Sequence, residues 1–385
     1  MNIFLNDLMT ILRDLIIERI KNKGNITFAE FMQMALYYPE YGYYNSNAAP
    51  IGKSGDFYTS PAVHRMFGEL IAVQLEEMWR ILGCAPFTVV EMGANVGWLC
   101  FDIMHYIKNE YPGFYKNIQY FIVESNPYLR EKQQELFCGD PVFDEKVSWH
   151  SYGEDGFSFD AVQGCFLSNE FIDALPVHRL FVKEGEVKEI YVGYNGNDFY
   201  EIVGDVCHHA LKDYCINAEV PLREGRVLEI NLAARDYLNH VAQKLNSGFV
   251  LTIDYGDTAQ RLYRNNTTGG TLRCYYRHNV NHDYYERPGE QDITASVDFS
   301  FLMDVGKGAG LEVTGLVKQS HYLIALGVLE KLNNMRNNLE TVLKVKNLFL
   351  PEGMGEVFKA LIQHRNVKNP CLSSLKPLSA IKPGT

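Results

Sequence analysis

Between residues 87 and about 255, apolar runs alternate with helical patterns, and the runs themselves do not alternate polar with apolar. FTVVEMG (87–93), YFIVES (120–125), VQGCFLSNE (162–170) and FVLTIDYG (249–256) read as strands. Helical spacing over 97–110, 127–137 and 231–246 separates them. Strands that are apolar along their whole length are buried on both faces, which is the signature of a parallel sheet covered by helices. The fold class is therefore α/β, with a Rossmann-like sheet and helices on both faces. Open sheets of this kind bind ligands beyond the carboxyl ends of their strands, so the search for chemistry begins there.

Three strand ends carry suggestive residues. VVEMGANVG (89–97) ends the first strand and opens a helix. Gly93 allows a sharp turn, Gly97 allows close helix–sheet packing, and the amides at the helix start face outward. The second strand ends in Glu124, where a carboxylate can accept both ribose hydroxyls of an adenosine. A dinucleotide site calls for GxGxxG, whereas this turn reads Gly93-x-Asn95-x-Gly97 behind Glu91, inside the strand. The strand over 162–170 ends in Ser168-Asn169-Glu170, with Asp173 shortly after and Pro176 as a stop. Two carboxylates beside a cofactor suit a cationic substrate group such as arginine or an amine. Taken alone, the same pair also serves as a helix N-terminal cap and dipole partner.

The flanking segments define the domain organisation. Residues 1–85 read as a helical region: an amphipathic N-terminal helix with Leu5, Leu8, Ile11, Leu12, Leu15 and Ile16 at helical spacing, then 27–38 opened by a Thr27–Glu30 capping box. An aromatic, glycine-rich loop spans 37–61, and a helix covers 62–82 with Ser60 as N-cap and Pro61 at N1. The α/β core spans 86–327. Within it, Lys-Glu-Gly-Glu and Asn-Gly-Asn-Asp turns predict an inserted β-meander over 179–203. Residues 257–300 are polar and irregular, 311–327 contains two strands, and helices cover 328–346 and 354–364 within a 328–365 region. The 366–385 tail has no periodicity and is expected to lack order.

Bulk properties narrow the partners. With 36 basic and 47 acidic residues the formal net charge is −11, which disfavours non-specific nucleic-acid binding and anionic membrane surfaces. No apolar run reaches membrane-spanning length. Asp7, Arg13 and Asp14 break any signal-peptide core, and the acids are unlike a mitochondrial presequence. A cytoplasmic location is the expectation. Eight cysteines without a CxxC pair fit a reducing compartment. Cys207-His208-His209 with Cys215 lacks zinc spacing, so no metal is expected.

Several blocks occur in a specific order: GDFYTSP (55–61), FGELIAVQLEEMW (67–79), SNEFIDALPVHRL (168–180), TLRCYYRH (271–278), GEQDITASVDFSFL (289–302) and PEGMGEVFKALIQHR (351–365). Together they resemble the MidA-like methyltransferases, which include the mitochondrial complex I assembly methyltransferase. The resemblance implies a class I methyltransferase fold using S-adenosyl-L-methionine. It implies a protein substrate, with arginine methylation of a respiratory complex I subunit as the specific case, and is compatible with a homodimer. By resemblance, Asp56, Thr59 and Ser60 line the cofactor pocket, and His282, Asp292 and Thr294 belong to a block near the active site. Glu170 and Asp173, with Asn169, become the candidate acceptor-site residues, and Asp254 is a further strand-end acid. The family turn usually reads G-P-G-x-G, and here Ala94 and Asn95 replace the proline and a glycine. Asparagine is one of the few residues besides glycine that visits positive φ. Two other readings stay open: a methyltransferase of small amines, and a catalytically silent assembly protein that keeps the fold.

Overall fold

A computed structural model describes residues 2–46, 60–217, 222–264, 269–277, 279–333 and 339–380. The chain divides into two compact units. One comprises 58–171, 237–256 and 303–385, and the other 1–57, 172–236 and 257–302. The first division between the units falls between residues 57 and 58. The helix Met66–Ile81 buries Phe67, Leu70, Ile71, Leu75 and Met78 in the core of the first unit.

That unit is built on seven strands: β1 Phe87–Met92, β2 Ile118–Val123, β3 Val147–His150, β4 Val162–Asn169, β5 Leu245–Asp257, β6 Glu312–Lys318 and β7 Phe358–Arg365. They lie side by side in the order β3-β2-β1-β4-β5-β7-β6. Pairing is parallel from β3 through β5, and β7 is antiparallel to both β5 and β6. The unalternating apolar pattern has the expected cause: five of the six β1 residues and seven of the eight β4 residues are buried. The topology reverses between β1 and β4, which is where an open sheet forms its crevice.

The other unit packs the helices Asn2–Lys23 and Phe28–Tyr37 around Leu12, Ile16, Ile20, Phe28, Phe31 and Leu36. Thr27 caps the second helix by accepting the Glu30 N–H at 3.1 Å. The expected meander consists of strands His178–Lys183, Glu186–Tyr194 and Phe199–Gly204, with Val227–Ile230 added beside the first. Asn195 Oδ1 accepts the N–H groups of Asn197 and Asp198, both at 2.9 Å, closing the Asn-Gly-Asn-Asp turn.

Four readings of the sequence are corrected. Residues 354–364 do not form a helix: Phe358–Arg365 is the antiparallel strand β7, wholly buried except Arg365. Residues 311–327 form one strand and then the helix Gln319–Ala325. The helix expected over 62–82 starts at Met66, with Arg65 rather than Ser60 at the N-cap, and the Met66 N–H donates to His64 Nδ1 at 3.0 Å. The tail is placed as far as residue 380: Leu372 and Ser374 are buried, and the Ser373 hydroxyl donates to Glu77 Oε2 at 2.8 Å.

Candidate functional site

The turn after β1 has the backbone its sequence requires. Gly93 has φ 66°, Asn95 φ 50° and Gly97 φ 92°. Asn95 thus takes the left-handed conformation usually left to glycine. Its carbonyl accepts Gln133 Nε2 at 2.6 Å, and Gln133 Oε1 accepts Trp149 Nε1 at 2.8 Å. The buried Gln133 therefore ties the turn to β3, a role sequence reasoning missed. Its one signal is an amide at an inward position of the helix Pro127–Phe137. The ring of Phe171 sits over Gly93, where a Cβ would meet it at 3.2 Å. Gly93 and Asn95 are exposed while Ala94 and Gly97 are buried, so the turn opens to solvent at the strand ends.

Two acids flank this turn. Glu91 is buried in β1 and accepts Tyr120 Oη at 2.7 Å. Burial pushes its carboxyl up to about 7, against the lowering effect of the tyrosine. Glu124 follows β2 and is half-buried, with Oε1 accepting the Asn126 N–H at 2.8 Å. Desolvation raises its carboxyl to about 7, with the Asn126 and Ser125 amides, Gln133 and Arg130 pulling the other way. Glu91 is thus held within β1 by Tyr120, and Glu124 stands just past the end of β2.

At the end of β4 the backbone changes abruptly. Glu170 has φ 52° and its N–H donates to the Ile253 carbonyl at 2.9 Å. Its Oε1 accepts the Ser60 N–H at 2.9 Å and Asn169 Nδ2 at 3.0 Å. The carboxylate is thereby fixed to the start of the short helix Ser60–Val63. Asn169 is buried, and its Oδ1 accepts no hydrogen bond among the described residues. Asp254, fully buried near the end of β5, accepts the N–H of Tyr255 at 2.9 Å and lies in register with Lys359. Asp56 and Thr59 lie outside the described residues.

Asp173 belongs to the other unit, where it and Asp292 are buried. Tyr44 Oη donates to Asp292 Oδ1 at 2.7 Å, and the Tyr44 ring stacks on Tyr37 with centroids 5.4 Å apart. Burial and then the Asp292 charge, with smaller contributions from Tyr37 and Asp173, drive the Tyr44 phenol upward. Asp173, Asp292, Tyr37 and Tyr44 thus form one acidic, aromatic cluster. His282 bonds the Leu272 carbonyl through Nδ1 at 3.0 Å, and Thr294 is buried on the strand Asp292–Thr294. Sequence reasoning missed Glu229. It is buried, accepts the Thr271 N–H at 3.0 Å through Oε2, and keeps an Oε1 with no hydrogen bond among the described residues. Its signal was an acid near the end of an apolar run, VLEIN, like that at 170. Glu229 and Asp298 line a cavity of about 20 Å³, which takes a water rather than a side chain.

A parallel sheet that reverses at β1 and β4, a left-handed turn opening a helix and an acid after the second strand define a Rossmann-like protein for an adenosine-bearing cofactor. The family model for S-adenosyl-L-methionine-dependent methyltransferases matches residues 70–317. The chain belongs to this MidA-like family of methyltransferases, and its cofactor is S-adenosyl-L-methionine. It is 30% identical to human protein arginine methyltransferase NDUFAF7, mitochondrial, over 91% of this chain and 83% of that one. The Drosophila melanogaster homolog is 28% identical over 79% and 72%. A solved structure from Burkholderia thailandensis, bound to S-adenosyl-homocysteine, superposes with a TM-score of 0.85 at 26% identity, covering 96% of this chain and 95% of that one. No helix among the described residues is long and apolar enough to cross a membrane.

The residues at the strand ends fit such a cofactor: an exposed turn at a helix N-terminus, a strand-end carboxylate with a second oxygen, and a buried amide oxygen at Asn169. If Glu124 accepts ribose hydroxyls, the ionised form binds better. Its carboxyl sits at about 7, so S-adenosylhomocysteine affinity is expected to fall as pH drops below 7, by up to about tenfold per unit. Calorimetry across pH 5.5–8.5 checks this, and Glu124→Gln should flatten the profile. A wild-type profile already flat through pH 7 would remove Glu124 from the ribose site.

Proposed function

We propose that the chain is a protein arginine N-methyltransferase, and the observation that carries this reading is the fixed carboxylate of Glu170 at the carboxyl end of β4. The human and Drosophila melanogaster relatives named as arginine methyltransferases support it. A respiratory complex I subunit is the first acceptor to test, on the resemblance described above. S-adenosylmethionine, when bound, supplies a methyl group on a sulfonium, and transfer to nitrogen is a displacement. Alignment and exclusion of water are then the protein's main work. An arginine side chain arrives protonated, with a pKa above about 12. A carboxylate pairs with two of its N–H groups and draws the positive charge away from the attacking nitrogen. Glu170, held by Ser60 and Asn169, is suited to this because its position is set before the acceptor arrives.

Gly93, Asn95, Gly97, Glu124 and Ser60 hold the cofactor, and Glu91 supports the turn. Asp173 is a second candidate carboxylate, within the cluster of Asp292, Tyr37 and Tyr44. The purified protein, methyl-labelled S-adenosylmethionine and a complex I subunit peptide test the reading. Label is expected in methylarginine after acid hydrolysis. Label in lysine or in a small molecule, or no label in any substrate, would overturn it.

A further inference from the structure

Apart from the strand ends, the described residues hold one compact set of metal-type donors. His178, Glu189 and Cys207 bring a ring nitrogen, a carboxylate oxygen and a sulfur within 4.8 Å of one another. The meander makes this possible. Glu189 lies in register with Leu180 on one neighbouring strand and with Gly204 on the other. His178 opens the first of those strands, and Cys207 follows shortly after the second. Cys207 is 29 residues from His178 and 18 from Glu189. That separation hides the set from any search by spacing. His209 and Cys215, its neighbours in sequence, belong to the helix His209–Asn217, where Cys215 is buried.

We propose that His178, Glu189 and Cys207 bind a Zn²⁺ ion. Zinc bonds of about 2.0–2.3 Å in a tetrahedron place donor atoms roughly 3.3–3.6 Å apart. Cys207 Sγ lies 3.5 Å from Glu189 Oε1 and 3.8 Å from His178 Nδ1, close to those edges. The Nδ1–Oε1 edge is a hydrogen bond of 2.7 Å and opens when the metal takes the place of the shared proton. The carboxylate is already oriented: Glu189 is fully buried, and its Oε2 accepts the Cys207 N–H at 2.7 Å. Such outer contacts fix ligand geometry in metal sites. Cys207 itself is exposed, which provides an entry path and leaves the fourth position to solvent. One thiolate, one imidazole and one carboxylate suit zinc rather than magnesium or calcium, which prefer oxygen alone. Binding releases the thiol proton to solvent, while the Nδ1 proton of neutral His178 is exchanged for one on Nε2 with no net release. No electron is transferred.

This inference is independent of the acceptor reading. The full chain, stripped with a chelator, is titrated with Co²⁺ and then competed with Zn²⁺. One equivalent of Co²⁺ should give tetrahedral d–d bands and a thiolate-to-cobalt charge-transfer band, both displaced by one equivalent of Zn²⁺. Cys207→Ser should remove the charge-transfer band, and His178→Ala should weaken Zn²⁺ binding by at least about tenfold. Replacing the exposed Cys84, Cys138 and Cys371 with serine should leave both signals unchanged. Far-ultraviolet circular dichroism and S-adenosylhomocysteine binding confirm that each variant is folded. No cobalt band in the wild-type chain, or a band that survives Cys207→Ser and disappears with the other three cysteines, overturns the proposal.

Discussion

Gly164→Ala is expected to abolish stable folding, at a cost above about 4 kcal/mol, the range reserved for backbone and core disruptions. Gly164 lies in β4 at φ 151°, and a Cβ there would sit 2.0 Å from the Thr88 carbonyl oxygen and 2.7 Å from the Thr88 nitrogen. Both are backbone atoms of β1, so no rotamer change relieves the clash. The next strand repeats the arrangement, because a Cβ on Gly248 would meet the Gly164 carbonyl at 2.0 Å. Thr88, Gly164 and Gly248 are register partners across β1, β4 and β5. Pushing these strands apart breaks ladders that lead directly to the Gly93 turn and to Asn169. Chemical denaturation of soluble protein, or its failure to accumulate, measures the effect. Gly139→Ala is the comparison: φ is 76° but nothing lies within 4 Å of the added atom. It should cost only about 1–2 kcal/mol, the ordinary penalty for left-handed backbone. A Gly164→Ala midpoint as mild as that of Gly139→Ala would show that the sheet tolerates the expansion.

The parallel strands were legible because burial on both faces leaves its mark on every residue of a strand, as in FTVVEM and VQGCFLSN. β7 was not legible. Its sequence, FKALIQHR, contains strong helix formers, and it buries Lys359, Gln363 and His364. Its place between β5 and β6 outweighs intrinsic preference, as tertiary context commonly does. Gln319–Ala325 failed in the opposite sense: a short apolar run has no period long enough to separate strand from helix.

The same division holds at the site. Asn95, Glu124 and Glu170 could be named because a strand end announces them within a few residues. Asn95 adopts the positive φ open to asparagine, at 50°, so the turn keeps its form without a glycine at that position. Gln133, Glu229 and the set around Cys207 could not be named. Each acquires its partners from strands or helices far away in sequence, and no local pattern records such partners.

Glu170→Gln is expected to lower the methyl-transfer rate by at least about 100-fold, or about 2.7 kcal/mol of barrier, with S-adenosylhomocysteine affinity changed less than about threefold. The substitution separates charge from position. A glutamine keeps a carbonyl oxygen that can still accept from Ser60 N–H and Asn169 Nδ2, as Glu170 Oε1 does at 2.9 and 3.0 Å. What disappears is the negative charge that would grip a protonated guanidinium. A carboxylate in that role contributes more to the transition state than to the cofactor complex, so the loss should appear in turnover. Glu170→Ala, by contrast, removes both anchors and should damage cofactor binding as well. Asp173→Asn tests the second candidate carboxylate by itself: with its charge gone, turnover should fall while cofactor affinity holds. Single-turnover methylation with saturating cofactor, paired with calorimetry on the same preparations, reads both quantities. Equal losses of turnover and affinity in Glu170→Gln would make the residue a structural pin for the Ser60 segment.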